Sequence, residues 1–207
     1  ETNVHILEIL AHLGANPKRY RRERSRAVKA LVSEVYSAPR VTLAAKLLPG
    51  LGVLPGFALD LTTVNKQGHN WDFTQEAMRR EAREIVETEE PMFLIGSPPC
   101  TQYCSWQLLN AQKFGWPEGE VERRMVAADV HLAFMAELYL IQMKGGRYFL
   151  HENPESARSW ERKSMAEIAS DSRVNKVVGD QCQYGQQSSN GNPVRKSTGW
   201  MSNSPEI

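Results

Sequence analysis

Cysteine is scarce in this sequence, with three thiols, Cys100, Cys104 and Cys182, among 207 residues. A small, odd number of cysteines excludes the disulfide framework of a small secreted domain. We therefore expect an intracellular, reducing compartment, in which the thiols serve packing or chemistry.

Long apolar runs are also missing. No stretch approaches the roughly 18 to 20 apolar residues of a membrane span, and the first residues lack the basic-then-apolar pattern of a signal peptide. We expect no membrane partner. Hydrophobic residues make up 41% of the chain, which is enough for the core of one domain.

Net charge is nearly absent at +1, but the charge is unevenly distributed. Residues 18–29 hold seven basic side chains and one glutamate, which predicts a surface that attracts phosphates, with Arg21, Arg22 and Arg24 as nucleic-acid contacts. A solvated helix face explains the same run equally well. The apolar residues before it indicate a helix that ends at Gly14. We therefore divide the chain into a basic helical extension, 1–30, and a main domain, 31–207.

Short apolar segments alternate with helical stretches along the main domain. Strands are predicted near 32–36, 56–61, 92–96, 147–151 and 174–179, which favours an α/β fold with a doubly wound, mostly parallel sheet. The third strand must stop before Pro98-Pro99 and delivers Cys100. The next delivers Glu152 and Asn153 after a helical crossover over roughly 121–143. Adjacent parallel strands would present the thiol and the carboxylate on one rim.

These motifs carry a resemblance. Pro99-Cys100 after one strand and Glu152-Asn153 after the next resemble the motifs that hold the nucleophile and the acid in DNA cytosine-5 methyltransferases. The flanking sequences, Ser-Pro-Pro-Cys, His-Glu-Asn-Pro and Gly-Asp-Gln-Cys-Gln-Tyr-Gly, also resemble a methyltransferase-like module of mobile-element polyproteins. The resemblance covers roughly 32–203 and implies a Rossmann-like methyltransferase fold without a target-recognition domain. The chain would then be part of a longer polypeptide, whose other domains are expected partners.

The resemblance implies S-adenosylmethionine as the cofactor. Asp60, near the end of the second strand, would accept the ribose hydroxyls, although a turn or capping aspartate is an alternative. Asp72 would bond the adenine amino group, and it would equally serve as the N-cap of a helix over about 74–88. The glycine-rich turn of the family is absent after the first strand, where Ala38-Pro39 stands instead. The full set of expected cofactor contacts is Tyr36, Ser37, Asp60, Asp72, Phe73 and Pro98.

The family chemistry assigns roles to three residues. The Cys100 thiolate would add to C6 of cytosine and make C5 nucleophilic toward the sulfonium methyl group. Glu152 would bond N3, Asn153 would orient the loop or the acid, and the base must leave the duplex or be single-stranded. The polymer is expected to be DNA rather than RNA. Beyond the basic extension, the expected nucleic-acid contacts are Arg40, Gln102, Gln181, Arg195 and Lys196.

Other interpretations of the same residues remain open. Ser97-Pro98-Pro99 resembles the strand end of exocyclic-amine methyltransferases, in which an aromatic residue stands where Cys100 does. A catalytically inactive nucleic-acid-binding module would keep the fold and the basic extension. A zinc site built from Cys100, Cys104, His151 and Cys182 departs from paired CxxC spacing, and we predict no metal.

Overall fold

A computed structural model describes residues 30–48, 50 and 52–207, together with His12 and Gly14. The predicted N-terminal helix and most of the basic extension, including Arg21, Arg22 and Arg24, lie outside the described residues. The secondary structure of residues 30–207 runs from Ala30 to Ser202, so the first strand begins at the last residue of the predicted extension.

Six strands and five helices alternate along the described chain. They are β1 (Ala30–Val35), α1 (Val41–Leu47), β2 (Val53–Leu59), α2 (Glu76–Glu89), β3 (Phe93–Gly96), α3 (Trp106–Phe114), α4 (Glu120–Lys144), β4 (Tyr148–Pro154), α5 (Lys163–Ala169), β5 (Asn175–Asp180) and β6 (Ser197–Ser202). Short 3₁₀ turns cover Thr101–Tyr103, Arg158–Glu161 and Gln181–Tyr184.

The strands form one mixed sheet in the order β2-β1-β3-β4-β6-β5. β2, β1, β3 and β4 are mutually parallel, while β6 runs antiparallel to both β4 and β5. The predicted α/β class with a mostly parallel sheet is confirmed, as is the expectation that the strand ending at Gly96 lies beside β4. The strand order reverses between β1 and β3, because the chain adds β2 on one side of β1 and β3 on the other.

The structure corrects the predicted end of β4. The strand continues through Glu152, Asn153 and Pro154, because these residues pair with β6, a strand that the sequence pattern does not predict. Glu152 and Asn153 therefore lie inside a strand and project from opposite faces of the sheet.

Helices contact both faces of the sheet. On one face Glu34 of β1 bonds Thr42 of α1. On the other face the long helix α4 packs so closely on β3 that a Cβ added at Gly96 would collide with Tyr139 and Met135. Among the described residues α4 is the one helix long and apolar enough to cross a membrane. Its apolar side chains, including Leu132, are largely buried in the domain core, which accounts for that composition.

Candidate active site at the carboxyl edge of the sheet

The carboxyl ends of the central strands meet at one edge. Gly96, the last residue of β3, is in register with Val35 of β1 and with His151 of β4. The N–H of Ser97 donates to the carbonyl of Val35 at 3.2 Å, so the chain leaves β3 still bonded to β1. Pro98 is then buried and Pro99 exposed, and this rigid pair carries the chain over the sheet edge toward Cys100.

Cys100 begins the 3₁₀ turn Thr101–Tyr103. Its carbonyl accepts a hydrogen bond from the Tyr103 N–H at 2.9 Å, and its side chain is partly exposed. Burial raises the pKa of the Cys100 thiol, the negative charge of Glu152 raises it further, and the positive charge of Lys196 acts in the opposite direction. The thiol is therefore protonated at neutral pH and lies within the electrostatic reach of both charged groups.

Glu152 receives its hydrogen bonds from the segment that leads into β6. Oε1 accepts from Nε2 of Gln181 at 3.3 Å and from Nζ of Lys196 at 3.4 Å. Gln181 is itself fixed by a second bond, from Nε2 to Oγ1 of Thr198 at 3.1 Å. No described residue donates to Oε2 of Glu152, so that oxygen is available to a ligand.

The structure thus brings four predicted site residues into one neighbourhood. They come from the end of β3, from β4 and from the β5–β6 connection, and they are Cys100, Glu152, Gln181 and Lys196. Gln181 and Lys196, expected as nucleic-acid contacts, here bond the acid directly. A nucleophile, a carboxylate and an ammonium group in one place suit addition to an electron-poor ring.

Asn153 faces the other side of the sheet and does not reach the Glu152 carboxylate. It is buried, with 1% of its surface exposed, and Nδ2 lies 3.1 Å from Nε2 of His151. Nδ1 of His151 lies 2.9 Å from Oη of Tyr139, which contacts the Gly96 carbonyl at 3.5 Å. Burial lowers the pKa of His151 to about 3, so the ring is neutral. Asn153 therefore helps to tie the end of β4 to the end of β3.

An aromatic cluster fills the turn after β1. Tyr36 has a left-handed φ of 59°, and its ring centroid lies 4.8 Å from that of Phe73. Its hydroxyl lies 2.8 Å from Nδ1 of His131 on α4. Phe73 has 2% of its surface exposed and packs on Phe134. Phe73 is therefore a core residue whose ring faces are covered, rather than an open platform for adenine.

A buried carboxylate organises the rest of this turn. Glu34 accepts a bond from Oγ of Ser37 at 2.9 Å and from the backbone N–H groups of Arg40 and Thr42 at 3.1 and 2.8 Å. The Arg40 side chain is exposed. Glu34 thus holds the loop between β1 and α1, a role that is not apparent from the sequence.

Asp60 and Asp72 both stabilise local turns. Oδ1 of Asp60 accepts the N–H and hydroxyl of Thr62 at 3.0 and 2.7 Å. Asp72 accepts the same pair of bonds from Thr74 and one from Gln75, and these bonds lower its pKa. The predicted N-cap role of Asp72 is corrected, because α2 begins at Glu76 and its N-cap residue is Gln75.

Arg195 and Gln102, two of the expected nucleic-acid contacts, differ in exposure. Arg195 has 85% of its side chain exposed and pairs with Asp180 at 3.1 Å. Oε1 of Gln102, two residues after Cys100, is buried without a hydrogen-bond partner among the described residues. Nε1 of Trp200, which pairs with Glu152 across β4 and β6, is also buried without a hydrogen-bond partner among the described residues. Because both atoms are buried, a ligand can bond them only if the neighbouring side chains move.

Comparison of the chain with protein-family models, with curated proteins and with solved structures found no match in any of the three. In the part of the chain that the structure describes, no group of three His, Cys, Asp or Glu side chains is placed to hold a metal ion. Both ring nitrogens of His151 are already bonded.

The residues present fit S-adenosylmethionine in part. Oδ2 of Asp60 accepts no bond from the described residues, so this carboxylate at the end of β2 suits a ribose hydroxyl. Ser37 and Pro98 follow the two strands that flank the reversal of strand order. The Tyr36 ring, however, fills the turn after β1, so the ring must move or the cofactor must bind beside it.

Proposed function

We propose that this chain catalyses S-adenosylmethionine-dependent methyl transfer to C5 of cytosine in nucleic acid, DNA rather than RNA, through a covalent Cys100 adduct. The observation that carries the proposal is the placement of Cys100, four residues after the end of β3, beside the carboxyl end of the adjacent parallel strand β4, which carries Glu152. The mixed sheet with helices on both faces is compatible with the doubly wound, Rossmann-like methyltransferase fold that the motifs imply.

The residues of the site divide the chemistry among them. The partly exposed Cys100 thiol gives its proton to water, and the thiolate forms a bond to C6 of the base, which sends an electron pair toward C5. Lys196 favours the thiolate by its positive charge. Oε2 of Glu152, in the protonated acid form, would donate a hydrogen bond to N3 of the base, while Oε1 stays bound to Gln181 and Lys196. When bound, S-adenosylmethionine supplies the methyl group. Water then takes the C5 proton, the C5–C6 double bond forms again as the C6–S bond breaks, and the released thiolate takes up a proton to restore Cys100.

The edge of the sheet offers a place for each partner. In open α/β sheets, ligands bind outside the carboxyl ends of the strands at the reversal of strand order, which lies here between β1 and β3. The cofactor would lie there, beside Ser37, Asp60 and Pro98. The exposed Arg40 and Arg195 side chains would meet phosphates.

Methyl transfer from labelled S-adenosylmethionine to DNA and RNA tests the proposal. Cys100→Ser should abolish transfer while cofactor binding, measured by calorimetry, is nearly unchanged. Glu152→Gln should slow transfer by roughly 10²–10⁴-fold, the range of general acid–base assistance. Cys182→Ser is the matched control, because this second partly exposed thiol follows β5. Full activity of Cys100→Ser would exclude the adduct and favour transfer to an exocyclic amine.

One observation favours a second candidate, a catalytically inactive nucleic-acid-binding module. The Tyr36 ring, packed on Phe73 and bonded to His131, stands where the cofactor turn of the family has no side chain. If this candidate is correct, calorimetry should detect no binding of S-adenosylmethionine. The affinity for nucleic acid should be unchanged in Cys100→Ser. Tyr36→Gly should then leave nucleic-acid binding unchanged.

A further inference from the structure

A buried tyrosine anchors the turn that begins at Cys100. Tyr103 has no exposed surface, and its hydroxyl donates to Oδ1 of Asp129 on α4 at 3.0 Å. Burial raises the pKa of Tyr103, and the negative charge of Asp129 raises it further, so the phenol remains a donor at neutral pH. Its own backbone N–H donates to the Cys100 carbonyl at 2.9 Å. The thiol and the anchor therefore stand at the two ends of one turn.

Asp129 is held in turn by Arg162. Nε of Arg162 lies 2.9 Å from Oδ1, and Nη2 lies 2.5 Å from Oδ2, which is the two-pronged geometry of a strong arginine–carboxylate pair. Nη1 of Arg162 also bonds Glu122 at 2.8 Å, so both groups of α4 fix the guanidinium. Arg162 immediately precedes α5 and belongs to the segment that follows β4.

We propose that Tyr103, Asp129 and Arg162 form a brace that positions the Cys100 thiol relative to Glu152. The brace joins the chain after β3, which carries the thiol, to the chain after β4, which carries the acid. A partly buried ion pair of this kind adds little net stability, so its contribution is a defined position for the turn. The inference rests on the proposed function only for the choice of Cys100 as the reactive group.

Alkylation of the thiols by iodoacetamide in the full chain tests the brace without substrate or cofactor. The rate at Cys100 is measured from pH 6 to 10 by mass spectrometry of its peptide, with Cys182 as the internal reference. Tyr103→Phe should speed alkylation of Cys100 at pH 8 by roughly ten- to a hundredfold, which is the change in the opening of the turn expected for one lost hydrogen bond to a charged group. The apparent pKa of Cys100 should fall, because burial raises it. Methyl transfer should fall by a similar factor through kcat.

Two variants separate positioning from general loosening. Asp129→Asn keeps an oxygen acceptor for Tyr103 but weakens the pair with Arg162, so it should change the alkylation rate of Cys100 in the same direction. It also provides the test if Tyr103→Phe fails to fold. Tyr148→Phe, at the opposite end of β4, is the matched control and should leave both thiols unchanged. The brace is overturned if neither brace variant alters Cys100, or if Cys100 and Cys182 accelerate in equal proportion.

The same experiment separates this inference from the proposed function. Selective acceleration at Cys100 in a chain that transfers no methyl group would uphold the brace and refute the methyltransferase proposal. If the brace variants leave the alkylation rate of Cys100 unchanged while the native chain transfers methyl groups, the brace is refuted and the methyltransferase proposal is upheld.

Discussion

Nζ of Lys196 lies 3.4 Å from Oε1 of Glu152, although 44 residues separate them in sequence. The ammonium group also acts on Cys100, whose pKa it lowers against the effects of burial and of Glu152. One lysine therefore balances the acid and the thiol of the candidate site. The sequence alone indicates Lys196 only as an expected nucleic-acid contact, and not as a residue that acts on both the acid and the thiol.

Lys196→Met should raise the pKa of the Cys100 thiol further, because it removes the positive charge that favours the thiolate and leaves Glu152 unpaired. Alkylation of Cys100 measured against pH should show the titration displaced to higher pH and a slower rate at pH 8. Arg195→Met is the matched control, because Arg195 pairs with Asp180. A titration that is equally displaced in both variants would contradict the assignment.

Gly96→Ala should destabilise the domain by roughly 1–3 kcal/mol, the usual cost of overpacking. The added Cβ would collide with Oη of Tyr139 and with Cε of Met135, and both side chains are buried. Urea unfolding followed by circular dichroism measures the change in the free energy of unfolding. Gly50→Ala is the control, because no heavy atom lies within 4 Å of a Cβ there.

A double-mutant cycle identifies the source of that cost. Tyr139→Phe removes the oxygen nearest to the new Cβ, so Gly96→Ala should cost less in that background than in the native chain. The coupling should fall within about 0.5–3 kcal/mol. Strict additivity of the two substitutions would assign the cost to the collision with Met135 or to the glycine backbone instead.

Neutralising Arg21, Arg22 and Arg24 should weaken nucleic-acid binding about equally for all sequences. Each lost phosphate contact should reduce the slope of log affinity against log salt by about one. Fluorescence anisotropy with DNA of unrelated sequences at several salt concentrations measures this slope. An unchanged slope would identify residues 18–29 as a solvated helix face.

The central part of the fold could be predicted because its signals are local. The apolar run before Pro98 defines β3, the apolar periodicity over roughly 121–143 defines α4, and one crossover between two short strands makes them parallel neighbours. Those three features alone place Cys100 and Glu152 on one edge of the sheet.

The remainder could not be predicted, because it depends on contacts between distant residues. β6 lacks a clear alternation, since Thr198, Gly199, Met201 and Ser202 are all buried, and without β6 the extension of β4 through Glu152 has no signal. The Tyr103–Asp129 bond spans 26 residues and the Asp129–Arg162 pair spans 33. Phe73 is an expected cofactor contact, but it is buried in the core. An aromatic residue after an acid indicates core packing as readily as a ligand contact.

His151 should make the domain sensitive to mild acid. Its pKa is about 6.5 in an unfolded chain and about 3 in the fold. Below pH 6.5 the unfolded state therefore binds one more proton than the folded state, and the free energy of unfolding decreases as the pH is lowered. Between pH 6.5 and 5 this group alone should remove about 2 kcal/mol from the free energy of unfolding. His151→Phe should be less stable at pH 7, because Tyr139 and Asn153 lose their partner, but its stability should fall less steeply over that interval. Urea unfolding of both proteins at several pH values measures the two slopes, and equal slopes would show that His151 is not the group that titrates.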